Sequence, residues 1–282
     1  MTDSAITTRD IAAGDFSFHV STSGDPSAPA VVLLHGSGPG VTALSNWEGA
    51  IGELGAHFHC VAPDIVGFGD STHPVDPPIG IAAFLELRAT SMVELLDAMG
   101  LDKVHLVGNS MGGMLTLKLL GLIPERIGKV VLMGTGGAPV PPTENLIKLA
   151  TFYNDPTEAA MADLLTRFVY DPTAFGDDLA AIAAARMPRV LRDDVRRSHV
   201  ATFTFTGGPV VFDAEYLGGI EHEVLLIHGR DDTFIPMVTS LYFLEHLPNA
   251  DLHVVAHAGH WTQIEQPRRF RALVRGFLGA EL

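Results

Sequence analysis

The sequence predicts an α/β fold: a mostly parallel central sheet with helices on both faces and a helical insertion. Three observations predict it. Short apolar runs at Ala30–Leu34, Phe58–Ala62, Val104–Val107 and Lys129–Met133 alternate with helical patterns, as parallel strands joined by crossovers do. The alternation stops at Ala138, gives way to a mostly helical stretch to about Gly219, and resumes at Val224. Between one strand and its helix stands Gly108-Asn109-Ser110-Met111-Gly112, a G-x-S-x-G, the pattern of a sharp strand-to-helix turn that lifts a serine hydroxyl above a sheet edge.

Taken in order, residues 1 to about 5 read as a loose tail. Two strands follow at Ile6–Asp10 and Phe16–Thr22, joined through Gly14. Ala30–Leu34 is continuously apolar, as a strand buried on both faces must be. The glycine-rich loop His35-Gly36-Ser37-Gly38-Pro39-Gly40 leads to a helix over Ser45–Ala56, then to the strand Phe58–Ala62. A helix over Ala82–Met99 is closed by Gly100. The elbow unit and the strand Lys129–Met133 complete the first half, so that residues 1–137 and 220–282 form the core and 138–219 a helical lid. Prolines 141, 142, 156, 172, 188 and 209 cut the lid into short pieces. Val224–Ile227, Met237–His246, Leu252–Val255 and Arg268–Leu278 restore the alternation, which places the lid over the carboxyl edge of the sheet, where ligands bind.

Composition narrows the partners. A net charge of −15 repels phosphate-rich partners, which argues against nucleic acid and acidic membrane surfaces. An anionic substrate would therefore need a local cation. The one cysteine, Cys60, sits in a strand and reads as an inert core thiol in a reducing compartment. No signal-peptide pattern opens the chain and no apolar run approaches the ~20 residues that span a bilayer, so a cytoplasmic location is expected. Neither H-E-x-x-H nor a Cys/His cluster appears, so neither a metal nor another cofactor is expected. A phosphate loop is a poor reading of Gly36–Gly40, whose spacing is G-x-G-x-G and which lacks the acidic ribose ligand expected near Cys60.

Ser110, as nucleophile, needs an oriented base. The loop after Lys129–Met133 carries no acid, whereas the strand ending His228-Gly229-Arg230-Asp231-Asp232 carries two; Asp232 is favoured, with Asp231 as runner-up. Of the histidines in Ala256-His257-Ala258-Gly259-His260-Trp261, His260, just before the turn into the last helix, is the candidate base. Backbone N–H groups of Met111 and Ser37 are placed to hold an oxyanion.

Together these motifs resemble the α/β-hydrolase fold and, more narrowly, the meta-cleavage product hydrolases. The residues that carry the likeness are His35–Gly40, Ser45-Asn46-Trp47, Val107–Gly113, His228–Asp232 with Ile235-Pro236, and Gly259–Glu265; within the lid they are Val169-Tyr170-Asp171 and Ala185–Pro188. The resemblance implies cleavage of the C5–C6 bond of a 2-hydroxy-6-oxohexa-2,4-dienoate, ketonised first and then split by water, with Ser110, His260 and Asp232 serving both stages. It implies that Arg186 grips the substrate carboxylate, that Asn46, Asn109 and Trp261 line the same pocket, and that the protein forms a homo-oligomer, a dimer or larger. Asn46 could equally cap the first core helix. The stretch Phe203–Tyr216 departs from the family pattern, which leaves the C6 substituent open; Phe152, Met161, Phe168 and Phe175 are candidates for an apolar subsite or for lid core. A carboxylesterase or lactonase would share the triad, a non-catalytic binding protein of this fold would not need it, and a haloalkane dehalogenase would carry aspartate at the elbow.

Overall fold

The structure, a computed structural model, describes residues 4–206 and 208–279; residues 1–3 of the tail and Gly207 of the Phe203–Tyr216 stretch lie outside them. Eight strands form one sheet in the order β1-β2-β4-β3-β5-β6-β7-β8: β1 Thr7–Ala13, β2 Phe16–Ser23, β3 Ala30–Leu34, β4 His59–Pro63, β5 Val104–Asn109, β6 Ile127–Met133, β7 Val224–Gly229 and β8 Ala250–Val255. The β1–β2 and β2–β4 pairs are antiparallel and all others parallel. The core helices are α1 Ala43–Leu54, α2 Ile81–Ala98 and α3 Met111–Leu122. The insertion supplies α4 Glu144–Ala150, α5 Glu158–Arg167, α6 Leu179–Val190, α7 Asp193–Phe203 and α8 Ala214–Gly218. After it come α9 Met237–His246, α10 Thr262–Glu265 and α11 Pro267–Gly279. No helix among the described residues is long and apolar enough to cross a membrane.

Apolar side chains on the two faces of the sheet make separate clusters. Val32, Leu34, Leu106 and Leu132 pack with α2, α3 and α9 on one side; Val31, Leu33, Val107 and Val131 pack with α1 and α11 on the other. Alternate residues of a strand point to opposite faces, so a run apolar at every position is what two covered faces require. A third cluster joins Leu149, Phe152, Met161, Leu165 and Phe168 of the insertion to Phe234 and Trp261 of the core. Phe212 and Leu217, late in the insertion, pack into the core instead.

Several local expectations shift. The first strand runs to Ala13 and turns through Gly14-Asp15, so that Ala13 faces Phe16. Ser4 is tied down by its N–H to Gly52 O, 2.8 Å. The first core helix begins at Ala43 because Thr42 caps it, its hydroxyl accepting from Ser45 N and its own N–H donating to Ser45 Oγ. Asn46 is therefore not the cap. Pro188 lies inside α6 and does not end it; so close to the last turn, its missing donor removes a single ladder bond, and Leu191 N–H still reaches Met187 O at 2.9 Å.

Two deeply buried histidines bind the core in a neutral form. His35 donates from Nδ1 to Gly36 O at 2.7 Å and accepts at Nε2 from Ile65 N at 3.0 Å. His199 donates from Nε2 to Leu149 O at 3.1 Å, between the rings of Tyr153 and Phe203. Burial pushes both down to about 4. A second proton on His35 would also destroy the acceptor that Ile65 uses. Below the ordinary histidine value of 6.5 the unfolded chain takes up protons that the folded chain refuses, and above it the two states bind the same number. Stability should thus be constant above pH 6.5 and fall as pH drops toward 4, by up to about 3 kcal/mol per histidine. Urea midpoints measured from pH 7 to 4 check this, with His199→Gln expected to make the decline shallower than in the wild type. A midpoint that holds steady across that range would refute it.

Candidate active site

Ser110 caps α3 with φ 54° and ψ −114°, a strained conformation for a residue with a side chain. The turn closes only with glycine on either side: a Cβ on Gly112 would lie 2.1 Å from Leu34 O, and one on Gly108 2.6 Å from Gly112 O. Strain is thereby held by the β5–α3 packing, and the hydroxyl is carried on the last residue before the helix. Met111 is the first residue of α3, so its N–H has no partner within the helix and is free to point at developing charge. The Gly36 backbone lies against the elbow, since a Cβ there would come within 3.3 Å of Ser110 Cβ. That contact brings the Ser37 loop to the same place.

Asp232 and His260 meet. His260 Nδ1 lies 2.7 Å from Asp232 Oδ2, and the two side chains are 3% and 1% exposed. The other carboxylate oxygen, Oδ1, accepts from Phe234 N at 2.8 Å and Ile235 N at 2.9 Å, so the acid is oriented from both ends. Asp231 turns away, its Oδ2 3.8 Å from Arg230 Nε. His257 is exposed. His228 is buried with Nδ1 on Ser240 Oγ and Nε2 on Ile235 O, so neither is placed as a base. The Ser110 hydroxyl makes no hydrogen bond among the described residues; a nucleophile–base contact of this kind commonly shortens only once substrate is bound.

Over this pair closes a narrow cavity of about 10 Å³, the space of a single water. Core residues Gly36, Ser37, Asn46, Asn109, His260 and Trp261 line one side, and Met161, Leu164, Leu165, Phe168 and Arg186 of the insertion the other. Asn109 donates from Nδ2 to Met133 O at 3.1 Å, while its buried Oδ1 has no partner. Asn46 Oδ1 accepts from Gly36 N at 3.4 Å, which steadies the glycine-rich loop. Trp261 stacks on Phe168 at 4.2 Å, and Phe168 on Phe234 at 4.0 Å, an aromatic wall beside the imidazole.

Arg186 stands apart from its neighbours. Arg189 and Arg192 pair with Asp70 and Asp194 at 2.7–2.8 Å. Arg186 has no ion pair or hydrogen bond among the described residues and lies over the Trp261 ring, 5.8 Å from its centre. Burial, with the charge of Arg189, pushes it down to about 10, which still leaves it a cation at neutral pH.

Of the aromatic and methyl side chains singled out from the sequence, Met161 and Phe168 reach the cavity; Phe152 is buried in the third apolar cluster and Phe175, partly buried, packs against it. No described residue of 203–216 lines it. Leu164 and Leu165 do, and their spacing with Met161 and Phe168 marks one helical stripe whose direction only the fold reveals. Phe234 was unanticipated; nothing in its sequence neighbourhood distinguishes it from ordinary core.

Comparison with known proteins identifies the fold and the family. A family described as alpha/beta hydrolase fold matches residues 29–267. A 2-hydroxy-6-oxo-2,4-heptadienoate hydrolase of Pseudomonas putida is 38% identical over 255 residues, covering 89% of each chain. Among solved structures, the 2-hydroxy-6-oxo-6-phenylhexa-2,4-dienoate hydrolase of a Rhodococcus strain superposes with a TM-score of 0.94 at 38% identity, covering 98% of this chain and all of that one. A serine hydrolase of the polyaromatic hydrocarbon-degrading Cycloclasticus zankles gives 0.93 at 42% identity, covering 98% of each.

Proposed function

The chain belongs to the α/β-hydrolase fold family, among the meta-cleavage product hydrolases, and from that premise we propose that it hydrolyses the C5–C6 bond of a 2-hydroxy-6-oxohexa-2,4-dienoate. The observation that carries the reading is an arginine, without an ion pair among the described residues, facing a cavity shared with an aspartate-oriented histidine. A substrate with a carboxylate at one end and a ketone at the other spans those two groups.

On this reading Arg186 holds the C1 carboxylate. His260 moves the proton from the 2-hydroxyl to C5, which turns the dienol into a ketone and makes C5 a viable leaving carbon. Ser110 then attacks C6 as His260 takes its proton, and the N–H groups of Ser37 and Met111 receive the charge on the C6 oxygen. The C5–C6 electron pair passes along C4 and C3 to the C2 oxygen, beside the arginine. The C2 oxygen takes from His260 the proton that came from Ser110, and the enol is released as a 2-hydroxypentadienoate. Water, deprotonated by His260, frees the remaining acyl group as a carboxylic acid. Asp232 keeps the imidazole in the tautomer that each step needs. A cytoplasmic setting fits the lone thiol, Cys60, which burial pushes up to about 12.

The test is a spectrophotometric screen of yellow ring-fission dienoates bearing methyl, isopropyl and phenyl groups at C6. Loss of colour with at least one, and release of the matching acid, is expected. Hydrolysis of neutral aryl esters with every dienoate left intact would favour an esterase instead, and failure of an organophosphonate to label Ser110 would favour a binding protein.

A further inference from the structure

The carboxylate of Glu265, at the end of α10, collects three backbone N–H groups. Its Oε1 accepts from Tyr170 at 2.7 Å and Asp171 at 3.2 Å, and its Oε2 accepts from Gly259 at 2.6 Å. These donors come from two separate segments. Tyr170 and Asp171 follow α5, the insertion helix that lines the cavity, whereas Gly259 immediately precedes His260. The same segments touch elsewhere: Trp261 N–H donates to Phe168 O at 3.2 Å. A Cβ on Gly259 would fall 2.8 Å from Phe168 O and 2.9 Å from Tyr170 N. Two facing stretches of backbone, one leading into the base and one leading out of the lid helix, thus share a single charged acceptor.

A backbone N–H bound to a carboxylate makes a charge-assisted bond, roughly twice as strong as a neutral one. Three of them at a half-buried site hold their donors more firmly than the loop's own turns do. The group also bears a cost, because burial raises the carboxyl above the ordinary glutamate range while the three N–H bonds oppose that shift. Packing alone would be served as well by a neutral side chain.

We propose that Glu265 is a positioning residue that fastens the root of lid helix α5 to the His260 loop, so that the base and the Met161–Phe168 wall of the cavity are set as one unit. It acts through Gly259 and touches no substrate. The inference rests on the proposed function only in taking His260 as the base.

Glu265→Gln tests it, since the amide keeps the shape but turns an N–H₂ toward one of the three donors. We expect kcat on the dienoate to fall about tenfold to a hundredfold, the range that small misplacements of a catalytic group produce. KM should stay within about threefold, and phosphonylation of Ser110 should slow in parallel with kcat. Rates are taken per labelled serine, so a purely structural role would lower the melting temperature yet leave them at the wild-type value. That result overturns the proposal. If the variant does not fold, amide exchange in the wild-type protein decides: Gly259, Tyr170 and Asp171 should open together with equal protection. Free exchange at Tyr170 beside a protected Gly259 overturns it. A wild-type protein that is phosphonylated but inert to every dienoate removes the substrate reading and leaves this one to stand on the phosphonylation rate.

Discussion

Asp232→Asn is expected to lower kcat by about four orders of magnitude while leaving the fold intact. The reason lies in how the carboxylate is divided. Oδ1 is committed to the N–H groups of Phe234 and Ile235, and Oδ2 to Nδ1 of His260. Asparagine has one carbonyl oxygen, and the two backbone donors claim it. Its N–H₂ then faces the imidazole, so Nδ1 must become the acceptor and Nε2 carries the hydrogen. In that tautomer Nε2 has no lone pair for the proton of Ser110 or of water, and both stages of the reaction stop. Asp231→Asn, whose side chain faces Arg230, should keep kcat within about twofold of wild type, as surface changes away from a site do. Stopped-flow decay of dienoate absorbance reads both variants. Equal losses in the two would show that the acid has been misassigned.

The choice between those aspartates shows where sequence reading runs out. Strand periodicity places both in the turn after β7, but which one faces His260 depends on the turn's backbone. There Asp232 N–H returns to Gly229 O while Asp231 N–H bonds Ala258 O of the next loop. The second bond joins segments far apart in the chain, and no local rule predicts it. The elbow was legible because its constraint is local: glycine, serine and glycine at fixed spacing between a strand and a helix. The buried strands were legible because two covered faces leave no polar position. Proline is an uneven guide in the insertion, since Pro188 sits inside α6 where the sequence predicts a break. The Thr42 cap was missed because its reciprocal partner is Ser45, where the familiar pattern has Glu or Gln.

Long-range partnerships are the least legible of all. Arg88 is fully buried, donating to Val66 O and Thr202 Oγ1, with Met111 Sδ 3.3 Å away, and lying over the rings of Phe68 and Phe84. From sequence it is one charged residue in an amphipathic helix, indistinguishable from the solvated arginines. Its partners come from a loop, the elbow and the lid. Arg186 was found by likeness to a family, and its lack of an acidic partner among the described residues could only be seen in three dimensions.

That isolation leads to the second large effect. Arg186→Met is expected to reduce kcat/KM for the dienoate by about a hundredfold to a thousandfold, the worth of a desolvated, two-pronged contact to a carboxylate. Methionine keeps the apolar stem against Trp261, so shape is conserved and the charge alone is removed. For a neutral aryl ester, which offers that cation nothing, kcat/KM should stay within about threefold of wild type. The substitution should also raise the melting temperature by a few degrees, because a buried guanidinium without a counter-charge is destabilising until an anion arrives. An esterase reading predicts no such split: both substrates would change together. Loss of dienoate turnover with a lower melting temperature would mean that Arg186 supports the lid and does not hold substrate. Only the opposite signs, activity down and stability up, fit a cation held in reserve for an acid.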